Sequence, residues 1–290
     1  MIPAAFDYHC PKTLGEAVTL LVQYGDAAKV MSGGQSLLPL LKLRLASPEH
    51  VIDIGKIPGL AYLREEGNVL KIGGCTSEAE LEASDLIRTR YPLLHDTTRV
   101  IADPLVRNRA TVGGNLAHGD PANDHPATMI ALRAQIVATG PRGERVIPAT
   151  QFFRSLFTTA LAADEILTEI RIPMPPPRSG GAYVKLERKV GDYATAAAAA
   201  QVSLTPAGAI ELVGLALTNA GPTPIHASAA EQHLTGKTPT AAVIAEAAKL
   251  AASATQPSAD RRGDVDYKRE MARVHAARAL QRAIERAGGR

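Results

Sequence analysis

The chain has 290 residues, 46% of them hydrophobic and only 4% aromatic, with no tryptophan, so its core must rest on alanine and branched aliphatic side chains. A formal charge of +3, with basic residues interleaved among acidic ones, offers no nucleic-acid-binding stripe, and no apolar run approaches the roughly 20 residues that span a bilayer. Cys10 and Cys75 form no CxxC pair, which leaves no thiolate cage for zinc or an iron–sulfur cluster and reads as two reduced thiols, and the first residues carry no secretory signal.

In chain order, Thr13 with Glu16 predicts a capping box. It opens a helix on which Leu14, Ala17, Val18, Leu21 and Val22 recur at helical spacing. Lys29-Val30-Met31 reads as a short strand running into Ser32-Gly33-Gly34-Gln35-Ser36, with a helical turn over Leu37–Leu41 and a second strand over Val51–Ile54. Leu60 to Ile72 reads as a hairpin turning at Glu66-Gly67-Asn68, followed by helices over Ser77–Ala83 and Tyr91–Ile101. Asp124-His125-Pro126 starts an apolar helix through Leu132, with Asp124 as its N-cap, and a hairpin turns around Gly140–Gly143.

Glu165 to Ile172 alternates, with Ile166, Ile170 and Ile172 on one face and Leu167 the odd apolar residue on the other, which predicts that something covers it. Pro173 to Gly181 reads as a linker and domain boundary. Thr195 to Leu204 is alanine-rich, so propensity favours helix. The alternation of Val202-Ser203-Leu204, the turn at Pro206-Ala207-Gly208 and the strand pattern of Ile210–Thr218 favour a meander instead. Helices over Thr240–Ala252 and Asp266–Ala287 close the chain.

Two segments carry a chemical signal. Ser32–Ser36 and Thr111-Val112-Gly113-Gly114-Asn115 each hold a glycine pair flanked by small hydroxyl and amide side chains. Such pairs let backbone approach a ligand closely and turn N–H groups toward an anion, so two of them suggest one shared ligand with a phosphate-bearing part. Neither is a GxGxxG or a GxxxxGK[ST] motif, so phosphate would be held by loop amides. His118 and His125, near Asp120 and Asp124, have a spacing that fits no common metal-ligand pair. No serine elbow supports hydrolase chemistry. Arg107 and Arg109 could neutralise a phosphate, meet a partner subunit, or form a structural salt-bridging loop. Tyr193, one of seven tyrosines, would by itself be read as core.

In combination these motifs resemble the FAD-binding subunits of molybdenum hydroxylases and the flavin domain of the xanthine dehydrogenase type. The likeness runs through Ile101-Ala102-Asp103-Pro104, Gly119-Asp120-Pro121 with Asp124, Ile170–Pro173, Lys185–Ala194, Arg262-Gly263 and Tyr267, and covers essentially the whole chain. It is greatest to the medium subunits of aerobic carbon monoxide dehydrogenases. The resemblance implies an α+β fold: an FAD-binding domain over 1–177 in two α/β subdomains (about 1–55 and 56–177), and a C-terminal domain of a small antiparallel sheet and helices over 178–290.

It further implies FAD as cofactor. Lys29, Val30, Met31, Ser32, Gly33, Gly34, Gln35, Ser36 and Leu37, with Thr111, Gly113, Gly114 and Asn115, would hold the pyrophosphate and ADP part. Ile101 and Ala102 would line the flavin side, and Asp124 would contact the cofactor. Leu167 and Lys185 would meet it from the other domain edge, and Tyr193 would lie by the isoalloxazine ring. No catalytic residue and no metal ligand are expected in this chain.

The implied role is electron transfer from iron–sulfur clusters of a small partner subunit, fed by a molybdenum cofactor in a large partner subunit, to an external acceptor. The assembly would be a dimer of heterotrimers in the cytoplasm, with room for peripheral association with the inner face of the membrane. Carbon monoxide is the favoured substrate of the complex, with nicotine-, purine- and aldehyde-type substrates as alternatives. A nucleotide-binding assembly module without turnover would use the same glycine loops. A stand-alone flavin oxidase lacks a visible substrate base.

Overall fold

A computed structural model describes residues 1–289. The chain runs through β1 (Asp7–His9), α1 (Leu14–Tyr24), β2 (Ala28–Met31), α2 (Leu37–Lys42), β3 (His50–Asp53), β4 (Leu63–Glu66) and β5 (Val69–Gly73). Helices α3 (Glu78–Ala83), α4 (Asp85–Arg90), α5 (Pro92–Arg99), α6 (Pro104–Arg107), α7 (Val112–His118) and α8 (Asp124–Ala131) follow. Then come β6 (Gln135–Gly140), β7 (Gly143–Pro148), α9 (Ala149–Phe152), β8 (Phe153–Ser155), β9 (Thr158–Thr159) and β10 (Ile166–Pro173). The last part comprises β11 (Ser179–Leu186), β12 (Ala196–Leu204), β13 (Ile210–Thr218), β14 (Ile225–His226), α10 (Ser228–Leu234), α11 (Ala241–Ser253) and α12 (Val265–Ala287).

Three main sheets organise these elements: a parallel sheet β1-β3-β2, an antiparallel sheet β4-β5-β10-β6-β7, and an antiparallel sheet β11-β12-β13-β14. The mixed α/β class expected from sequence is the class observed. Helix α1 covers the parallel sheet through Ala17, Val18 and Leu21, while Val22, expected on the same face, is exposed. The anticipated capping box is half formed. Thr13 Oγ1 accepts from Glu16 N, but the Glu16 carboxylate takes the Lys12 amide in place of the cap's own.

Strand β12 settles the conflict between alanine propensity and strand pattern. It pairs antiparallel on both sides, with β11 and with β13. Its alanines face two cores: Ala197 and Ala199 pack with α5 and α8, and Ala198 and Ala200 pack with α11 and α12. A residue without a long side chain lets helices approach both faces, and this tertiary demand overrides helix propensity. The neighbouring strands show the same demand: a Cβ on Gly214 of β13 would lie 2.0 Å from the Ala131 carbonyl oxygen of α8, and one on Gly180 of β11 2.2 Å from the Ala283 carbonyl oxygen of α12.

Strand β10 departs from the expected alternation. A register shift between Leu167 and Glu169 breaks the period, so Ile166 packs into the core under α1 while Ile170 and Ile172 join the core of the antiparallel sheet. Leu167 belongs to that second core, and this core is what covers it. A bulge re-aims every residue on one side of it, which is why simple period-two counting failed here. The expected linker also shortens, because Ser179, Gly180 and Gly181 already pair in β11. Among the described residues, no helix is long and apolar enough to cross a membrane.

Candidate functional site

The two glycine motifs, far apart in sequence, meet in the structure. Ser32 follows β2, and Thr111 caps α7 by accepting from Gly114 N at 3.2 Å. Thr111 Oγ1 donates to Ser32 Oγ at 3.0 Å, and Ser32 Oγ reaches Cys75 Sγ at 3.3 Å. A Cβ on Gly33 would lie 1.8 Å from the Arg109 carbonyl oxygen, so this glycine exists for backbone-to-backbone contact between the motifs. Gly34 adopts φ +77, the left-handed conformation that turns the loop into α2.

The second motif is not the loop expected. Its glycines form the first turn of α7, and its amides are largely spoken for: Val112 N donates to Thr76 O, Gly113 N to Gly74 O, and Asn115 N to Thr111 O. The first motif is the opposite case. Among the described residues, the N–H groups of Gly33, Gly34, Gln35 and Ser36 donate to no protein acceptor. Consecutive free amides at a turn form an anion-binding concavity. Asn115 adds a buried Oδ1 with no hydrogen-bond partner, an acceptor awaiting a donor. Free amides on one side and an orphaned acceptor on the other fit a dinucleotide bearing both phosphate and hydroxyl or amine groups.

A second cluster adjoins the first through Asn123, whose Nδ2 donates to Asn115 O. Asn123, and not Asp124, is the N-cap residue of α8, and Asp124 is the first helical residue. The Asp124 side chain turns inward, where Lys185 Nζ donates to its Oδ2 at 2.9 Å and Tyr183 OH to its Oδ1 at 2.7 Å. Burial pushes the Asp124 carboxyl above the usual range, against the pull of the Lys185 ammonium and the Tyr183 hydroxyl. Lys185 also donates to Val100 O at 2.9 Å, which ties β11 to the segment carrying Ile101 and Ala102.

Ala102 holds φ +47, unusual for a residue with a side chain, and Arg107 Nη1 clamps it by donating to the carbonyls of Ile101 and Ala102. Arg107 is buried and paired with Glu82 at 2.7 Å, so of the roles open to it the structural one is observed. Gly191 packs on Ala102, where a Cβ would lie 2.6 Å from its carbonyl oxygen. Next to it, Asp192 accepts from Arg262 at 2.9 Å and from the Tyr193 amide at 2.9 Å, leaving Tyr193 47% exposed beside the cluster.

Ser32 to Ser36, Thr111 to Asn115, Asp124, Lys185, Ile101, Ala102 and Tyr193 are thus linked in one chain of contacts. Leu167 joins it through main chain, since a Cβ on Gly74 would meet its carbonyl oxygen at 2.4 Å and Gly74 O in turn accepts from Gly113 N. Val30 is only partly connected: its side chain packs in the core under α1, and the Lys29 side chain is exposed. Met31 borders Gly34, and Leu37 begins α2.

Sequence reasoning missed Tyr183 and Thr218. Tyr183 lies two residues before Lys185 on one strand, and that period would have placed it on the same face. His125 pairs with Glu78 at 2.8 Å, both fully buried, and His118 packs against the Phe157 ring. Among the described residues, no three His, Cys, Asp or Glu side chains cluster as metal ligands, and both cysteines are free. Surface clefts of about 520 and 500 Å³ lie at the start of α1 and along it, and no residue of either glycine motif lines them.

The chain belongs to the FAD-binding family of molybdopterin dehydrogenases. Residues 4–175 match the FAD-binding domain in molybdopterin dehydrogenase, and residues 181–283 match the CO dehydrogenase flavoprotein C-terminal domain. It is an FAD-binding flavoprotein subunit of an oxidoreductase of this class. The chain is similar to the carbon monoxide dehydrogenase medium chain of Hydrogenophaga pseudoflava, at 46% identity over 99% of both chains. It is also similar to the medium chain of Afipia carboxidovorans, at 43% identity over 99% of both. A solved structure of the Hydrogenophaga pseudoflava carbon monoxide dehydrogenase, in a form lacking the molybdenum-pyranopterin moiety, superposes with a TM-score of 0.97 over 99% of each chain at 48% identity.

Proposed function

We propose that this chain is the electron-transfer subunit of a molybdenum hydroxylase that oxidises carbon monoxide. In this reading it takes electrons from iron–sulfur clusters of a small partner subunit, supplied by a molybdenum cofactor in a large one, and passes them to an external acceptor. The observation that carries the reading is the full-length likeness to carbon monoxide dehydrogenase medium chains. Bound FAD supplies reversible electron transfer, and the protein supplies binding, orientation and tuning.

The free amides of Gly33 to Ser36 would hold the pyrophosphate, with Asn115 Oδ1 accepting from a donor on the nucleotide. Asp124 and Lys185, already paired, would fix the contact on the α8 side. The Ile101-Ala102 segment, held by Arg107 and Lys185, would form a rigid wall by the flavin, and the exposed Tyr193 would border its ring. The complex would be a cytoplasmic dimer of heterotrimers.

The test is flavin binding by the full chain, followed by reduction of that flavin with carbon monoxide when the partner subunits are present. A chain without releasable FAD would defeat the reading. Flavin that binds but stays oxidised with carbon monoxide and all partners would defeat carbon monoxide as the substrate, and flavin that also stays oxidised with nicotine-, purine- and aldehyde-type substrates would leave a non-catalytic module. Gly114→Val should abolish FAD occupancy, because a Cβ there would lie 2.7 Å from Thr111 Oγ1 and displace the hydroxyl that caps α7 and bonds Ser32, opening the seam between the two motifs. Full occupancy in that variant would remove the motif pair from the site. Tyr193→Ala should retain part of the FAD binding and change the reoxidation rate, read by stopped-flow absorbance.

A further inference from the structure

Tyr183 and Lys185 alternate along β11 with Val184 between them, so both face α8. Together they grip one carboxylate, Tyr183 OH on Asp124 Oδ1 and Lys185 Nζ on Oδ2. Tyr183 is 4% exposed, and its oxygen lies 2.9 Å from Thr218 Oγ1, itself fully buried on β13. A phenol has one proton, and Asp124 receives it, so Thr218 must donate to Tyr183. The polarity therefore runs Thr218 to Tyr183 to Asp124, each hydroxyl strengthening the next bond. The residue after Thr218, Asn219, holds φ +55 and donates from its amide to Pro121 O and from Nδ2 to Ala194 O. This anchors the network to the segment before α8 and to the neighbour of Tyr193.

An ionised carboxylate has about four acceptor positions and no proton to give. One position on each Asp124 oxygen is occupied, and the rest can serve only a donor, never a phosphate oxygen. We propose that Tyr183, oriented by Thr218, is a positioning residue for the flavin site, holding the Asp124 carboxylate in one orientation so that its remaining lone pairs are reserved for a hydroxyl or N–H donor of FAD. The inference rests on the reading that Asp124 contacts the cofactor. Lys185, shared with Glu187 at 3.4 Å, supplies the charge opposite Asp124 but leaves the carboxylate free to rotate about a single ion pair. The second, neutral hydrogen bond removes that freedom without altering the charge.

The experiment compares FAD dissociation constants and flavin absorption spectra of the full chain and its Tyr183→Phe variant, with melting of the FAD-free forms as a control. Loss of one hydrogen bond to a charged acceptor should weaken FAD about 10- to 100-fold and shift the bound-flavin spectrum. In an Asp124→Asn background, where the charged acceptor is gone, the same substitution should cost only about 3-fold. An equal factor in both backgrounds would make Tyr183 merely structural and overturn the proposal. Wild-type affinity and spectrum in Tyr183→Phe would overturn it too, leaving the flavin reading intact, whereas an absence of FAD binding by the wild-type chain would overturn both. Should Tyr183→Phe not fold, Thr218→Val carries the test: a roughly 3- to 10-fold loss of affinity supports the proposal, and an unchanged affinity overturns it.

Discussion

Gly33 and Gly114 look alike in the sequence and do different work. A Cβ on Gly33 would collide with the Arg109 carbonyl, and neither backbone can retreat without separating β2 from the segment before α7. Gly33→Ala should therefore lower stability by about 2–4 kcal/mol, visible as a fall in melting temperature with or without FAD. Thr111→Ala removes both the cap of α7 and the hydroxyl reaching Ser32, and should cost about 1–2 kcal/mol, measured by urea unfolding. Asp192 gives a pH signature. Burial raises its carboxyl, but hydrogen bonds from Arg262, Arg188 and the Tyr193 amide outweigh that and hold it at about 2, below the ordinary 3.8. A folded value below the unfolded one stabilises above the unfolded value, and that contribution disappears as pH falls through about 2. Acid titration of tyrosine absorbance should thus show the Tyr193 turn intact at pH 4 and released on approach to about pH 2, with release at higher pH in Arg262→Met.

Among the elements, β12 is the most exposed to error of packing. Its alanines are 0–1% exposed on both faces, sandwiched between α5 and α8 on one side and α11 and α12 on the other. Ala199→Leu should be destabilising by about 1–3 kcal/mol, because Ala199 is fully buried against α5 and α8 and three further carbon atoms would overpack that layer. A thermal-melting series of Ala199→Ser, Ala199→Val and Ala199→Leu would check it, with stability expected to fall as side-chain volume grows. Helix α7 illustrates the reverse dependence, of a site on local chemistry. Thr111 was legible as a flanking hydroxyl, but its role as an N-cap follows from the helix that the glycines begin. A glycine pair is a poor helix start by propensity, and only close contact of Gly113 with the Gly74 backbone explains it.

For the whole molecule, the antiparallel sheet over β4–β10 and the sheet over β11–β14 share one continuous core, since Tyr183, Ala194, Ala197, Ala199 and Ala216 pack with Leu70, Ile136 and Ile170. The two family matches therefore meet through packed side chains, and Asp124 and Lys185 bond across that junction. Lys185→Met should weaken FAD binding and lower the melting temperature together, because it unpairs buried Asp124 and frees the Val100 carbonyl. Calorimetry with and without FAD would show both changes.

Turn chemistry, capping hydroxyls and apolar periodicity are local properties, and they were enough to place most helices and hairpins, both glycine motifs and, through resemblance, the flavin class. Tertiary contacts decided the rest. The β10 bulge, the division of free and bonded amides between the glycine motifs, and the Thr218–Tyr183–Asp124 relay each depend on partners far away in sequence. A residue's hydrogen-bonding capacity is written in its side chain, but whether that capacity is spent on the protein or left for a ligand is settled only by what the fold brings beside it.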